Sequence, residues 1–120
     1  ALGAVDGFRA MTPLLRAVLA DHGGSEGIIA FSLAARPAEF AALAPRILTS
    51  GDPAAVALLV QAVAEVEASI AVLQGEGVLP VTFIGGLGPT YAARLAARWT
   101  VVAAKGTALD GALMLARQAA

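Results

Sequence analysis

The spacing of apolar residues along the chain changes near residue 75. Before that point, apolar side chains recur every three or four positions, a period typical of helices that bury one face. After it, two short runs of β-branched and aromatic residues, 80–84 and 99–103, are typical of buried strands. The pattern therefore predicts a helical part, 12–75, followed by a strand-helix-strand-helix part, 76–120.

Proline and glycine divide the helical part into predicted helices. Thr12-Pro13 and Asp52-Pro53 each place a capping side chain directly before a proline, which is a strong signal for a helix start. Ser25 is a third candidate cap. The predicted helices run from Pro13 to a stop at Gly23, from Glu26 to Leu33, from Pro37 with a kink or early end at Pro45, and from about Ala54 to Gln74, ended by Gly75.

The most distinctive stretch is 80–90, Pro-Val-Thr-Phe-Ile-Gly-Gly-Leu-Gly-Pro-Thr. Its apolar run stops at a pair of glycines, whose missing Cβ atoms let the backbone turn sharply and let a flat ligand lie close to it. Pro89 then suits the first position of the helix that follows, Tyr91 to Arg98, with Thr90 in its first turn. In open α/β sheets, ligands bind at the carboxyl ends of strands, so this turn is the candidate binding site. A plain structural turn explains the same glycines equally well.

The second predicted strand leads through Lys105-Gly106 into a last helix, Ala108 to Ala120, with Asp110 near its start. Strand, helix and strand joined by tight loops predict a right-handed parallel crossover. Two strands do not form a stable parallel sheet alone, so we expect its other strands upstream of Ala1. The first residues contain neither an initiator Met nor a signal-peptide pattern, which agrees with a cut inside a longer chain.

Composition narrows the class of protein. Hydrophobic residues make up 58% of the chain and charged residues 14%, with a mean hydropathy of +0.78. Average soluble domains are about half apolar and a quarter charged. The excess of hydrophobic residues suggests either a membrane protein or a piece of a larger assembly. Because no uninterrupted apolar stretch reaches the ~20 residues of a spanning helix, we favour the piece and expect no membrane partner.

Charge and cysteine content exclude further classes. The net charge is −1 and the basic residues are scattered, so we expect no nucleic-acid partner. The absence of cysteine agrees with a cytoplasmic protein. With His22 as the single histidine, a metal site is not expected, and His22 itself is interpreted as a partner of a helix C-terminus. Glu65 and Glu67 point in different directions on a helix and are interpreted as solvated carboxylates.

Several segments resemble one known family in the same order. Residues 80–89, 91–98 and 108–117 look like the carboxyl-terminal end of the BadF/BadG/BcrA/BcrD ATPase family, and its N-acetylglucosamine and glucosamine kinases are the most similar members. Segments 36–45 and 51–53 are similar to the same proteins. The resemblance thus covers nearly the whole chain, with motifs that are individually loose.

The resemblance implies a fold, a ligand and a set of contacts. The fold class is α/β, a helix-rich fragment of an actin-like ATPase lobe of the Hsp70 and sugar-kinase type, with ATP and Mg²⁺ as cofactors. Residues 37–39 would form the opposite wall of the nucleotide site, although a simple helix start explains them at least as well. Asp110 would be a structural cap of the last helix. The implied nucleotide-binding residues are Gly85, Gly86, Leu87, Thr90 and Ala38.

The same resemblance implies that the catalytic parts lie elsewhere. The family's two phosphate loops and the aspartate that deprotonates the sugar hydroxyl belong upstream, so no catalytic residue is expected in this segment. The full-length parent would transfer the γ-phosphoryl group of ATP to the 6-hydroxyl of N-acetylglucosamine or glucosamine. The segment alone, without its upstream lobe, is expected to be inactive.

Two other functions remain open. The first is an ATPase activator of a dehydratase or reductase from the same family, although such relatives hold an iron–sulfur cluster through cysteines, which this chain lacks. The second is a non-catalytic helical interaction module whose apolar surface docks a partner. A homodimer also fits the apolar surplus, as does a missing lobe.

Overall fold

The chain is predominantly helical. A computed structural model describes residues 1–118, and 63% of these residues are helical. The chain forms two compact units, Ala1–Ala62 and Val63–Ala120, and the boundary between them falls within its longest helix. The helices are α1 Leu2–Val5, α2 Pro13–Asp21, α3 Ser25–Ala34, α4 Pro37–Ala41, α5 Ala44–Leu48, α6 Pro53–Gln74, α7 Gly88–Leu95 and α8 Ala108–Gln118.

The predicted α/β fold with parallel strands at 80–84 and 99–103 is wrong. No strand forms within residues 1–118, and the two segments meet in one parallel bridge between Val81 and Val101. Parallel pairing is weak per residue and needs further strands on both sides. Without them no ladder extends from this bridge, and Ile84, expected in a buried strand, is 70% exposed. The helix-rich residues 1–118, which contain no sheet, also contradict the predicted fragment of an actin-like lobe.

The predicted starts of α2 and α6 are confirmed. The Leu15 N–H donates to Thr12 Oγ1 at 3.4 Å, and the Ala54 N–H donates to Asp52 Oδ1 at 2.9 Å. The other carboxylate oxygen of Asp52 accepts from the Leu14 N–H at 2.9 Å. Asp52 therefore caps the helix that follows it and also ties that helix to the start of α2. The sequence predicted the cap but not the contact with α2.

The turn between α2 and α3 depends on glycine. Gly23 and Gly24 have φ angles of 75° and 92°, a region that other residues rarely adopt. Ser25 was expected to cap α3, but it is the first helical residue and Gly24 occupies the capping position. The turn is therefore formed by the two glycines, and α3 begins at Ser25, one residue earlier than the capping pattern predicts.

A close contact and an aromatic cluster join α2, α3 and α4 within the first unit. A Cβ atom at Gly27 would lie 1.5 Å from the His22 carbonyl oxygen, so the two backbones are in direct contact. His22 Nδ1 lies 2.8 Å from the Val18 carbonyl oxygen, which confirms its predicted role at the C-terminus of α2. Its ring packs edge-on against Phe31, and Phe31 against Phe40, at centroid distances of 4.5 and 5.0 Å.

The predicted interruption near Pro45 is confirmed. The helix that begins at Pro37 ends at Ala41, and α5 begins at Ala44 with Pro45 in its first turn. Proline is tolerated there because the first N–H groups of a helix have no intrahelical acceptor. Arg46 of α5 forms a salt bridge with Asp21 at the end of α2, which ties these two helices together within the first unit.

The second unit is built from the end of α6, the bridge and two short helices. The Gln74 side chain donates through Nε2 to the Leu79 carbonyl oxygen at 2.8 Å and accepts the Leu79 N–H at 2.6 Å. These two bonds hold the loop that follows α6, after Gly75 ends the helix at a φ of 56° as predicted. The last helix begins at Ala108 as predicted, while Ala119 and Ala120 lie outside the described residues.

Few side chains are buried in the described part of the chain. The buried hydrophobic residues are Leu14, Leu15, Ala55, Ile70 and Leu95, against nineteen large hydrophobic residues that are exposed. Helix α6 has 22 residues and contains an 18-residue stretch with a mean hydropathy of 1.9, so by length and composition it is long and apolar enough to cross a membrane. Core helices of soluble proteins meet the same criterion, so this property alone does not assign a location.

We expect Gly27→Ala to destabilise the first unit strongly. The new methyl group would overlap the His22 carbonyl oxygen, so α3 must shift, at a cost of about 1–3 kcal/mol or more. Gly111→Ala in α8 is the matched control, because nothing lies within 4 Å of its Cβ position. Thermal unfolding followed by circular dichroism measures both, and an equal effect of the two substitutions would refute the contact.

The stability of the fold should depend on the ionisation of Asp52. Partial burial raises the pKa of Asp52, but hydrogen bonds from the N–H groups of Leu14, Ala54 and Ala55 and from the Thr12 hydroxyl outweigh it and lower the pKa below 3.8. A lowered pKa in the folded state means that the stabilisation is complete above 3.8 and is lost as the pH falls through the lower, folded value.

We therefore expect the melting temperature to fall as the pH drops below 3.8, and to fall less in Asp52→Asn. The amide keeps the side-chain shape but does not titrate. Thermal unfolding of both proteins as a function of pH tests this expectation. Asp110 also titrates in this range, so some pH dependence remains in the variant, but identical profiles would contradict the role of Asp52.

Candidate functional site

The glycine turn predicted as the ligand site forms a tight turn in the second unit. Gly85 has a φ of 87°, and the Gly88 N–H donates to its carbonyl oxygen at 3.0 Å. Helix α7 starts directly at Gly88, with Pro89 in its first turn, and ends at Leu95. The helix was predicted as Tyr91 to Arg98, so both ends lie earlier than expected. Pro89 was expected at the first position of the helix and is its second residue, because α7 begins at Gly88.

The two sides of this turn differ in the space around them. Gly88 is buried, and a Cβ atom there would lie 3.3 Å from the backbone of Phe83. Glycine at this position lets the start of α7 approach the preceding segment closely. No heavy atom lies within 4 Å of the Cβ position of Gly86, and Gly86 is exposed. The outer side of the turn is therefore bare backbone that another molecule can approach.

The other predicted contacts of the turn lie beside it. Leu87 occupies the N-cap position of α7 and is 39% exposed, and Thr90 is half-buried in the first turn. The rings of Phe83 and Tyr91 are stacked with centroids 6.2 Å apart, which packs the turn against α7. The structure thus brings Gly85, Gly86, Leu87 and Thr90 together at one helix start.

Ala38 lies in the first unit and is exposed on α4. The Arg36 N–H donates to Glu39 Oε2 at 2.8 Å, the bond of a capped helix start. The geometry of residues 37–39 therefore agrees with the simpler alternative that these residues begin a helix. A role of Ala38 in binding a nucleotide stays a prediction.

A long-range cluster in the second unit was missed by sequence reasoning. Glu67 was interpreted as solvated, but its side chain is 25% exposed and pairs with Arg98 at 2.7 Å. The Arg98 guanidinium lies 5.6 Å from the centre of the Trp99 ring, and Trp99 Nε1 is buried with no hydrogen-bond partner among the described residues. No local spacing links Glu67 to Arg98, so only tertiary structure reveals the pair.

Asp110 has the structural role that the sequence suggested. Its Oδ2 accepts from the Thr107 N–H and the Thr107 hydroxyl at 2.7 Å each, and the Asp110 N–H donates to Thr107 Oγ1 at 3.2 Å. These bonds lower the pKa of Asp110 below 3.8, against a smaller opposing effect of burial. The reciprocal pattern is a capping box, which starts α8.

The described residues contain no group of three or more histidine, cysteine or acidic side chains placed to hold a metal ion. A groove of about 440 Å³ lies in the first unit, beside the starts of α2 and α6, with Arg9 as its one charged residue. Arg9 and the exposed ring of Phe8 border this groove. This groove does not include the glycine turn.

Comparison with protein-family models, with curated proteins and with solved structures gives no match for this chain. The assignment to the kinase-containing ATPase family therefore stays a prediction from the sequence motifs. The candidate site consists of the turn formed by residues 85–88 and the start of α7.

We expect Gly85→Ala and Gly86→Ala to affect stability differently. Alanine at Gly85 must adopt a φ near 87°, which costs about 1–2 kcal/mol in a left-handed conformation. Alanine at Gly86 meets neither strain nor a neighbouring atom, so its free energy of unfolding should change little. Urea denaturation of both variants tests the difference. Equal destabilisation would show that Gly86 also has a structural role in the turn.

Proposed function

We propose that the chain is the carboxyl-terminal part of an ATP-dependent amino-sugar kinase and that the turn at residues 85–88 contacts the adenosine of ATP. The observation that carries the proposal is the open outer side of Gly86, which lies next to a helix start in a turn closed by the hydrogen bond from the Gly88 N–H to the Gly85 carbonyl oxygen. A bulky side chain at Gly86 would occupy the space of the ligand while leaving the turn intact.

The physical chemistry of the turn suits a nucleotide. Bare backbone allows a flat base or a ribose to lie within van der Waals distance of the main chain. The N–H groups of a helix start favour negative charge, and no side chain caps the start of α7 among the described residues. In this proposal Gly85 and Gly86 contact the adenosine directly, while Leu87 and Thr90 flank it.

The kinase activity and the acceptor rest on the sequence resemblance. Phosphoryl transfer depends on Mg²⁺, on positioned phosphates and on a base that act together. The resemblance assigns the phosphate loops and the base to other parts of the parent protein. This chain would therefore bind ATP without transferring phosphate, and the parent would phosphorylate the 6-hydroxyl of N-acetylglucosamine or glucosamine.

The exposed apolar surface favours one second candidate, a non-catalytic helical interaction module. Nineteen large hydrophobic side chains are exposed and five hydrophobic residues are buried in the described part of the chain. Large exposed apolar patches are typical of surfaces that bind other proteins. In this alternative the glycines serve only the turn, and nucleotide does not bind.

Titration of the chain with a fluorescent ATP analogue separates the two candidates. We expect saturable binding that ATP displaces and that Gly86→Val weakens about tenfold or more, a loss of ~1.4 kcal/mol. Gly51→Val is the matched control, because Gly51 is also exposed, has a negative φ and has no atom within 4 Å of its Cβ position.

The possible results have distinct meanings. Absence of binding by the unmodified chain would favour the interaction module. Equal weakening by both valine substitutions would place the nucleotide elsewhere. If the chain binds ATP, a coupled assay of the parent protein with N-acetylglucosamine and glucosamine tests the acceptor, and Gly86→Val in that protein should raise the KM for ATP strongly.

A further inference from the structure

Helix α8 has no covering partner in the described residues. Every residue of α8 is exposed except Gly111, which is half-buried. Its large apolar side chains are between 49% and 68% exposed, namely Leu109, Leu113, Met114 and Leu115. An amphipathic helix with so little burial is marginal in water unless something packs against it.

One face of α8 carries two opposite charges with two apolar side chains between them. Asp110, Leu113, Met114 and Arg117 follow the i, i+3, i+4, i+7 spacing that places residues on one side of a helix. With Gln118 they line a shallow groove of about 420 Å³. An acid stands at one end of this face, a base at the other, and two apolar side chains lie between them. We call these four residues the α8 face.

We propose that the α8 face is a homodimer interface in which α8 pairs with α8 of a second copy, antiparallel about a two-fold axis between Leu113 and Met114. In this arrangement Asp110 of each copy lies beside Arg117 of the other, and Leu113 lies against Met114. The same patch meets itself, as closed two-fold dimers require. The charge complementarity of the face selects the second copy as its occupant.

The alternatives fit the charges less well. A parallel pairing would place the two Asp110 carboxylates together and the two Arg117 guanidinium groups together, which is unfavourable. A lipid surface would have to accept a carboxylate at one end of this face and a guanidinium at the other. Asp110 remains able to pair, because its cap to Thr107 uses Oδ2, while Oδ1 accepts no hydrogen bond from residues 1–118.

The contact predicts a weak dimer. A helix of 11 residues is about 16 Å long, so the pair buries less than the roughly 1,200 Å² of standard specific interfaces. Buried area does not fix affinity, so the small contact indicates only that the dimer is weak and dissociates on dilution. Sedimentation equilibrium of the 120-residue chain, over concentrations from about 1 µM to about 1 mM, measures the dissociation constant.

Two arginine substitutions test the charges. Arg117→Glu places a carboxylate beside Asp110 of the other copy at both ends of the interface, and should weaken the dimer tenfold or more. Arg94→Glu is the matched control, because Arg94 is the basic residue in the last turn of α7 as Arg117 is in α8. A chain that stays monomeric throughout, or an equal effect of both substitutions, would overturn the proposal.

Single cysteines in this cysteine-free chain test the orientation. In an antiparallel pair the two copies of position 114 lie close to the axis, whereas the two copies of position 117 are about 10 Å apart along it. Disulfides need Cα atoms within about 7 Å. Mild oxidation should therefore cross-link Met114→Cys and leave Arg117→Cys as monomer. Cross-linking of Arg117→Cys in preference to Met114→Cys would indicate a parallel pair and refute the proposal.

Discussion

The carboxylate of Asp52 is the interaction on which the first unit depends. It accepts an N–H from the start of α6 with one oxygen and an N–H from the start of α2 with the other. Each helix start leaves N–H groups without intrahelical partners, and one side chain here serves two such starts. The unit buries few apolar side chains, so this shared cap positions the helices where the core is too small to do so alone.

Local chemistry explains which parts of the fold were predictable. Thr12-Pro13, Asp52-Pro53 and Gly75 mark helix ends through bonds and φ angles that involve only neighbouring residues, and these predictions are confirmed. The strands at 80–84 and 99–103 were not predictable in this way, because a strand exists only if other strands pair with it. Two segments meeting at one bridge satisfy the local pattern without making a sheet.

The candidate site shows the same division between local and distant information. The tight turn, the positive φ of Gly85 and the proline in the first turn of α7 all follow from residue types within a few positions. The contact of Glu67 with Arg98 does not, since nothing in the spacing of two charged residues so far apart specifies their meeting. The difference between the bare side of Gly86 and the buried side of Gly88 also required coordinates, because both positions read simply as glycine.

The Gln74 side chain has a consequence for the segment that leads into the candidate site. Its amide both donates to and accepts from Leu79, so it acts towards the loop as a neighbouring strand backbone would. Neither a carboxylate nor an ammonium group supplies both a donor and an acceptor at neutral pH. The approach to the glycine turn is thus held by an uncharged group that does not titrate. Acidification that protonates the capping carboxylate of the first unit therefore leaves the donor and the acceptor of Gln74 unchanged.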